Sequence, residues 1–339
     1  MYQTFYNLKE SPFRLSPDPA FMYVTAHHRE ALSGLIYNVC TQAGLTVLVG
    51  EAGTGKTTLL YSLLGLLEKR RYVTALCTNP TLTREEFYDL LLMKFGVECN
   101  STLKSRQLAA LQETLLRNRS DGKPALLIVD EAQRLSTELL EEIRLLLNME
   151  TPQQKLLEII IAGQPELSDI LARPELRQLK QRVSCICKLK PLDLEELREY
   201  IFHRLTQAGM PKQTLFSDEA IRLIYDYTSG IPRLVNSLCN GALQIGFATQ
   251  TTSITGSIID EAARDLELRR ALSDSSPIAT VVAAALGEEI VPVPGTRLTA
   301  VAKVSRTVNG PAETRMPLET YATRQNSLGF FAGLMDRWR

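Results

Sequence analysis

The sequence has no long apolar stretch and no excess of charge of either sign. Its 339 residues carry 38 basic and 38 acidic side chains, so the formal net charge is zero. No global positive field would therefore draw the chain to nucleic acid or anionic lipid, which leaves only local patches. No apolar run approaches the roughly 20 residues that span a bilayer. The first six residues also lack the basic-then-apolar pattern of a secretory signal.

Cysteine is sparse, and its spacing gives no metal site. Six cysteines are scattered along the chain. Cys185 and Cys187 form a close pair, but no second pair stands at zinc-binding spacing. We therefore expect buried, reduced thiols, which fits a cytoplasmic protein.

The composition that remains is that of a soluble globular protein. Hydrophobic residues make up 45% of the chain and charged residues 22%, which is typical of folded rather than disordered chains. The length predicts about two domains of ordinary size.

One stretch, residues 50–57, organises the chain, and we call it the phosphate loop. It follows the apolar run 45–49 and leads into a helical pattern, the strand–turn–helix context in which G-x-x-x-x-G-K-[ST] binds phosphate. Glycines let successive N–H groups point at an anion, and the following helix adds its positive N-terminal end. Lys56 would reach the outer phosphates, and Thr57 would offer its hydroxyl to Mg²⁺. The residues expected to hold a nucleoside triphosphate are Gly50, Glu51, Ala52, Gly53, Thr54, Gly55, Lys56, Thr57 and Thr58.

Two carboxylates end a continuous apolar run. Residues 125–129 have the length and composition of a strand buried on both faces, and Asp130 and Glu131 follow directly. Ligands bind at the carboxyl edge of a parallel sheet, so we expect this pair to lie beside the phosphate loop. Asp130 would hold Mg²⁺ through water, and Glu131 would position or deprotonate the attacking water. An Asp-Glu pair by itself would more simply be an acidic cap on the next helix. The phosphate loop upstream favours the metal–phosphate site instead.

Gln164 and the pair Pro12-Phe13 are further candidates, each with a plainer alternative. Gln164 follows the apolar run 156–162, and its amide could hydrogen-bond the γ-phosphate or the lytic water, or could simply form a turn. Pro12-Phe13 lies in an aromatic, Pro-rich segment and could form one wall of a base pocket, or could pack in a core.

Strands and helices alternate up to about residue 190, and only helices follow. Strand patterns cover 45–49, 72–76, 125–129, 156–162 and 183–189, and helical patterns cover 28–40, 83–96, 105–119 and 136–149. Strands interleaved with helices predict a parallel α/β sheet. Thr83 with Glu86, and Asp193 with Glu196, have capping-box spacing, and Gly96 is a plausible helix stop.

Four regions are expected. Residues 1–190 would form the α/β core and residues 191–270 a small helical domain. Residues 271–325 read as a flexible linker because proline and glycine interrupt every periodic segment. Within 326–339, a short helix would gather on one stripe Leu328, Phe331, Leu334, Met335 and Trp338. So short a helix is marginal in water, so we expect it to order against a partner's groove or the inner-membrane interface, with folding back onto its own core as the alternative.

With these residues identified, the chain resembles the AAA+ ATPases of the general secretion pathway protein A (ExeA-like) group over residues 1 to about 270. The motifs that carry the likeness are Phe5-Tyr6, Pro12-Phe13, Pro17-Asp18-Pro19, Phe21, His28-Arg29-Glu30-Ala31-Leu32, Gly50 to Thr57, Val129-Asp130-Glu131-Ala132-Gln133, Gly163-Gln164-Pro165-Glu166-Leu167, Gln181-Arg182 and Gly230-Ile231-Pro232-Arg233. The resemblance implies an α/β P-loop NTPase (AAA+) sheet sandwiched by helices, a helical lid, and ATP with Mg²⁺ as cofactors.

The resemblance also assigns roles to residues. Gln164 stands at the sensor-1 position, and Arg233 at sensor 2, reaching from the lid to the phosphates. Arg182 looks like the arginine finger offered to a neighbouring subunit's nucleotide, with Arg177 as an alternative. A finger in trans implies a homo-oligomeric ring or filament. The Pro12-Phe13 region would contact adenine.

One departure from the family bears on partners and location. Members that work in secretion often carry a transmembrane helix and a peptidoglycan-binding domain after the ATPase, and this sequence shows neither. The expected protein is therefore a cytoplasmic ATPase that drives assembly or remodelling of another cell-envelope or secretion-type complex. Peripheral contact with the inner membrane through the C-terminus is kept open.

Two other functions compete. The core also resembles transposition ATPases of the TniB/TnsC type, which assemble on DNA. Neutral net charge and the lack of a long basic run count against DNA binding without excluding it. Residues 69–71 and 180–182 are the obvious basic clusters, and solvated faces explain them equally simply. A nucleotide-gated switch with little turnover is disfavoured by Glu131, since a switch does not need a water activator.

Overall fold

A computed structural model of the protein describes residues 2–16, 18–78, 80–210 and 215–270. The expected linker, 271–325, and the expected amphipathic segment, 326–339, lie outside the described residues. The division of the remainder into 1–190 and 191–270 stays a prediction.

A five-stranded parallel sheet forms the centre of the described α/β region. Its strands are β1 (Leu45–Gly50), β2 (Val73–Cys77), β3 (Ala125–Val129), β4 (Leu157–Gly163) and β5 (Val183–Leu189). Their order across the sheet is β2-β3-β4-β1-β5, and every neighbouring pair is parallel. All residues of β1, β3 and β4 are buried, which explains their unbroken apolar sequences. The predicted strands and the parallel sheet are confirmed, with shifts of one residue for β2 and β4.

Helices cover the sheet and continue beyond it. Those of the first 190 residues are α1 (Tyr2–Phe5), α2 (Ala26–Thr41), α3 (Lys56–Glu68), α4 (Arg84–Phe95), α5 (Lys104–Ser120), α6 (Thr137–Leu146), α7 (Glu166–Leu171) and α8 (Arg177–Lys180). Short 3₁₀ turns span Pro19–Phe21, Ala132–Arg134 and Pro174–Leu176. Thr83 and Glu86 form the expected capping box, and Gly96 ends α4 in the left-handed conformation at φ 65°.

After β5 the described chain is helical, as expected. It forms α9 (Leu194–Gln207), α10 (Asp218–Thr228), α11 (Pro232–Ala248) and α12 (Gly256–Asp265). Asp193 and Glu196 form a capping box at the start of α9. No helix in the described ranges is long and apolar enough to cross a membrane.

The described residues form two apolar core clusters, and the N-terminal segment packs in the second. The first cluster contains sheet residues with α4, α5 and α6. The second combines α9–α12 with four residues that precede α2, namely Tyr6, Leu8, Phe13 and Phe21. The aromatic N-terminal segment therefore packs against the helical region rather than against the sheet.

A buried carboxylate joins three helices of the α/β region. Glu142 on α6 is 3% exposed and accepts hydrogen bonds from Tyr88 at 2.6 Å and Lys104 at 2.8 Å. Arg84 Nε lies 3.0 Å from it. Burial raises the pKa of Glu142, but the bonds from Lys104 and Tyr88 outweigh this effect, so the pKa lies below its ordinary value. The carboxylate therefore stabilises the fold in its charged form.

We expect Glu142→Gln to lower the free energy of unfolding at pH 7 by about 1–3 kcal/mol, because it removes a charged acceptor from a buried network. The folded pKa is lowered, so this contribution is complete above the unfolded value of about 4.3 and disappears as pH falls through the folded pKa. Chemical denaturation of both proteins between pH 3 and 7 measures the difference.

The matched control is Glu141→Gln, which changes the adjacent, more exposed carboxylate that pairs with Arg144. It should alter the free energy of unfolding by no more than about 0.5 kcal/mol. Equal effects of the two substitutions at pH 7 would contradict the role assigned to Glu142.

Candidate functional site

The phosphate loop closes around the amine of Lys56. Gly53 and Gly55 adopt φ values of 83° and 97°, which side chains rarely tolerate, and this lets the chain turn sharply between β1 and α3. Lys56 is 5% exposed, and its Nζ donates to the carbonyl oxygens of Gly50 at 2.7 Å and Glu51 at 3.0 Å. The lysine is thus held inside the loop, at the N-terminus of α3.

The charge of Lys56 is balanced by nearby carboxylates. Burial lowers its pKa, while the negative charges of neighbouring groups, first Glu131 and then Asp130, oppose this shift. The Lys56 ammonium and the Glu131 and Asp130 carboxylates therefore lie in one partly desolvated site. A phosphate bound there would meet the Lys56 ammonium without a large movement of the side chain.

Asp130 and Thr57 meet at the carboxyl edge of the sheet. The Thr57 hydroxyl donates to Asp130 Oδ2 at 2.7 Å. Asp130 is 3% exposed, and its Oδ1 accepts a hydrogen bond of 2.9 Å from the Glu131 N–H. The two residues are 73 positions apart in sequence, yet the structure brings them together as the sequence predicts.

These two side chains suit Mg²⁺. A hydroxyl and a carboxylate are hard oxygen donors, which this ion prefers. The described residues hold no group of three or more His, Cys, Asp or Glu side chains placed for a metal. An ion at Thr57 and Asp130 would therefore complete its coordination with water and phosphate oxygens.

Glu131 and Gln164 are linked by a residue to which the sequence reasoning gave no role, Gln133. Its Nε2 donates to Glu131 Oε2 at 2.7 Å, and its Oε1 accepts from the Gln164 N–H at 3.1 Å. Glu131 itself sits at φ 55°, in the left-handed region. Gln133 therefore orients the carboxylate against the end of β4. The sequence feature that could have identified Gln133 is its position in the motif 129–133.

Arg233 lies directly against the phosphate loop. Its N–H donates to the Gly53 carbonyl at 3.2 Å, and a Cβ on Gly53 would lie 2.6 Å from Arg233 Cβ. Pro232 begins α11 here. The exposed guanidinium-bearing side chain of Arg233 lines the same cavity as Lys56 and Glu131.

That cavity extends from the phosphate loop to an aromatic wall. Its loop end is formed by residues 53–58 with Glu131 and Arg233. Its remaining lining consists of Arg14, Leu15, Ser16, Asp18, Phe21, Met22, Tyr23, His28, Leu192, Tyr200, Arg204, Pro232 and Asn236.

His28 lines the cavity, and the sequence reasoning gave it no role. It is 5% exposed, and its Nδ1 is 2.8 Å from the Thr25 hydroxyl. Burial lowers the pKa of His28, and a hydrogen bond with the Thr54 backbone opposes the shift in part. The ring is therefore neutral near pH 7 and packs against the phosphate loop, with Nε2 3.5 Å from a Cβ built on Gly55.

Pro12, Phe13 and Arg182, all predicted site residues, do not line the cavity and have other contacts. Phe13 is 2% exposed and packs edge-on against Phe216 in the helical core, with ring centroids 6.1 Å apart. The Pro12 carbonyl accepts a hydrogen bond from Arg204. Arg182 is exposed, and its guanidinium donates to Asn148 at 3.1 Å. The residues of the same segment that do line the cavity are Arg14, Leu15, Ser16, Asp18, Phe21, Met22 and Tyr23.

Gly53→Ala should disrupt the phosphate loop. An alanine here would have to keep the left-handed backbone conformation of Gly53, which costs about 1–2 kcal/mol. Its methyl group would also lie 2.6 Å from Arg233 Cβ and 3.2 Å from Ile231 Cγ2. We expect a lower melting temperature and at least ~10-fold weaker binding of the nucleoside triphosphate that the sequence predicts, a loss of about 1.4 kcal/mol. Calorimetry and binding titration measure these two effects.

Gly65→Ala is the matched control, because Gly65 lies within α3 and a Cβ there meets nothing within 4 Å. This change should preserve binding and leave stability equal or up to about 1 kcal/mol higher. Wild-type affinity in Gly53→Ala would show that the loop does not need this glycine.

Comparisons with known proteins agree with this geometry. Residues 38–171 match a family described as an AAA domain. General secretion pathway protein A of Aeromonas hydrophila is 37% identical over 267 residues, which cover 78% of this chain and 48% of that protein. An uncharacterised HTH-type transcriptional regulator of Methanocaldococcus jannaschii is 24% identical over 176 residues, which cover 50% of this chain and 42% of that protein. The chain spans less than half the length of both relatives.

Solved structures share the fold at low sequence identity. Drosophila ORC bound to DNA contains a chain with a TM-score of 0.59 and 17% identity, covering 83% of this chain and 68% of that one. Cdc6p of Pyrobaculum aerophilum gives a TM-score of 0.58 and 17% identity, covering 74% and 71%. The AAA-domain match over residues 38–171 and the shared fold of these structures agree with the P-loop architecture of this chain. The chain is similar to general secretion pathway protein A, as the resemblance in its motifs predicts.

Proposed function

We propose that the chain binds ATP with Mg²⁺ and hydrolyses it. The observation that carries this proposal is the hydrogen bond between Thr57 and Asp130, 2.7 Å long, beside a phosphate loop that holds Lys56. A protein that only needs a tight turn has no use for a hydroxyl, a carboxylate and a buried lysine in one place.

Each residue of the site has a role in this proposal. Lys56 would exchange its bonds to the Gly50 and Glu51 carbonyls for bonds to the outer phosphates. Thr57 and Asp130 would hold Mg²⁺, which supplies positive charge to the phosphate oxygens. Glu131 would accept a proton from the attacking water, with Gln133 holding its carboxylate in orientation.

Two polar side chains would complete the phosphate end. Gln164 follows β4 and is half-buried, so its amide is placed to hydrogen-bond the γ-phosphate or the lytic water. Arg233 would add a positive charge from the helical region and so make the position of α11 sensitive to the nucleotide.

We further propose that hydrolysis serves assembly or remodelling of a cell-envelope or secretion-type complex. The support is the 37% identity to general secretion pathway protein A. A cytoplasmic location, with peripheral contact at the inner membrane, belongs to the same proposal.

A DNA-associated regulator is the alternative function. One relative is named as a transcriptional regulator and one structural neighbour is bound to DNA, although the neighbour at 17% identity supports the fold alone. ATP turnover measured with and without double-stranded DNA over a range of salt separates the two functions, since contacts to phosphates weaken steeply with salt.

Glu131→Gln should bind ATP as the wild type does and lose turnover by about 100-fold or more, the usual contribution of a general base. Only the proton acceptor changes, while the phosphate loop and Asp130 remain. Phosphate release and ATP titration measure the two properties. Glu138→Gln, a change of a carboxylate that is 76% exposed on α6, serves as control and should keep wild-type turnover. Unchanged turnover in Glu131→Gln would refute the assigned role.

Hydrolysis should also require a second subunit, because Arg182 is exposed and lies outside its own chain's cavity. Specific activity is expected to rise with protein concentration. Mixing Arg182→Ala with Lys56→Ala should restore part of the activity, since one mixed interface carries both intact groups. The same mixture made with Arg177→Ala tests the other candidate finger. A monomer whose specific activity does not depend on protein concentration would exclude both Arg182 and Arg177 as fingers that act on a neighbouring subunit.

A further inference from the structure

Arg204, on α9, is a buried cation at the aromatic end of the cavity. It is 7% exposed. Its Nε donates to the Pro12 carbonyl at 2.5 Å, and one terminal nitrogen makes a longer contact of 3.5 Å to the Arg14 carbonyl. The other terminal nitrogen donates to the Tyr200 hydroxyl at 2.9 Å, which in turn donates to Asn236 at 2.8 Å. One guanidinium thus ties the N-terminal segment to α9 and α11.

The same guanidinium stacks on the wall of the cavity. Its central carbon lies 5.2 Å from the ring centroid of Phe21 and 5.5 Å from that of Tyr200. Among the described residues no carboxylate forms a salt bridge with Arg204. Burying a charge without a counter-charge is costly, so carbonyl oxygens, a hydroxyl and ring faces must compensate it.

These contacts fix both ends of one stretch of wall. Pro12 and Arg14 are held at its start and Phe21 at its end, and the residues between them include the exposed Leu15. The described residues of this segment form no regular strand or helix beyond a single 3₁₀ turn, Pro19–Phe21. Its shape therefore depends on such tertiary contacts rather than on its own hydrogen bonds.

The position of the wall identifies the part of the ligand that it would meet. In the proposed function, which this inference extends, the phosphates lie at residues 53–58. The other part of the cavity, which offers the side chains of Leu15, Phe21, Met22, Tyr23 and Tyr200, is then left for the flat nucleobase, which packs well on rings and aliphatic side chains.

We propose that Arg204 is a positioning residue for nucleobase recognition: it shapes the wall formed by residues 14–16, 18 and 21–23 without touching the phosphates. Its planar fork suits this task, because it can reach two carbonyls and a hydroxyl in one plane while its faces stack on rings. A lysine at this position keeps the charge but offers a single ammonium, which cannot make all of these contacts.

The test compares two ligands that share phosphates and differ in the base. Binding of ATP and of inorganic triphosphate, each with Mg²⁺, is measured by competition against a fluorescent ATP analogue for the wild type, Arg204→Gln and Arg204→Lys. We expect both variants to lose ATP affinity, by ~10-fold or more for Arg204→Gln, while affinity for inorganic triphosphate stays within about twofold. At saturating ATP, turnover should stay near the wild-type value, so that KM changes and kcat does not.

Arg198→Gln is the matched control, since Arg198 lies on the same helix and pairs with Asp218 at the exposed surface. It should change neither affinity. If Arg204→Gln does not fold, as judged by its melting curve, Arg204→Lys carries the comparison.

Two results would overturn the inference while leaving the proposed ATPase intact. One is unchanged ATP affinity in the folded Arg204 variants, and the other is an equal loss for ATP and inorganic triphosphate. Failure of the wild type to bind either ligand would instead refute the proposed function, and the inference with it.

Discussion

The register of three parallel strands determines where the reactive groups of this protein lie. β4 pairs with β1 on one side and with β3 on the other, with Val49 opposite Gly163 and Val129 opposite Ile161. Because both pairings are parallel, the loops that follow β1, β3 and β4 leave the sheet at one edge. A slip of one residue would turn the buried side chains of a strand to the wrong face, so the apolar core holds the register. The contact between Thr57 and Asp130 is a consequence of that packing.

Much of this arrangement follows from local sequence signals. The limits of β3 and β5 agree residue for residue with the apolar run 125–129 and with the alternating segment 183–189. A parallel strand covered on both faces, such as β3, needs continuous apolar sequence, which is a strong signal. The capping box at Thr83 and Glu86 could likewise be read in advance, because its partners are only three residues apart.

The part of the cavity proposed to contact the nucleobase could not be predicted from local sequence signals. Phe13 lies in a segment without helical or strand period, so nothing in its sequence distinguishes a wall position from the core position that it occupies against Phe216. Arg204 meets Pro12 across 192 residues, and neither carries a motif. Gln133 and His28 were visible as members of motifs, but only the fold shows that their side chains contact Glu131 and Thr25.

The helical region reaches the phosphate loop through two glycines whose conformation allows close backbone approach. The carbonyl of Gly230, a residue at φ 72°, accepts a 2.9 Å hydrogen bond from the Leu192 N–H, and a Cβ on Gly230 would lie 1.9 Å from the Leu192 carbonyl oxygen. Gly53 makes the corresponding contact with Arg233 at the loop itself. The first contact anchors the start of α11 to the segment that leaves β5, and the second sets that same helix end on the phosphate loop. A change in the loop would therefore be transmitted to α11 through main-chain contacts, which have little freedom to adjust, and only then to side chains such as Arg233.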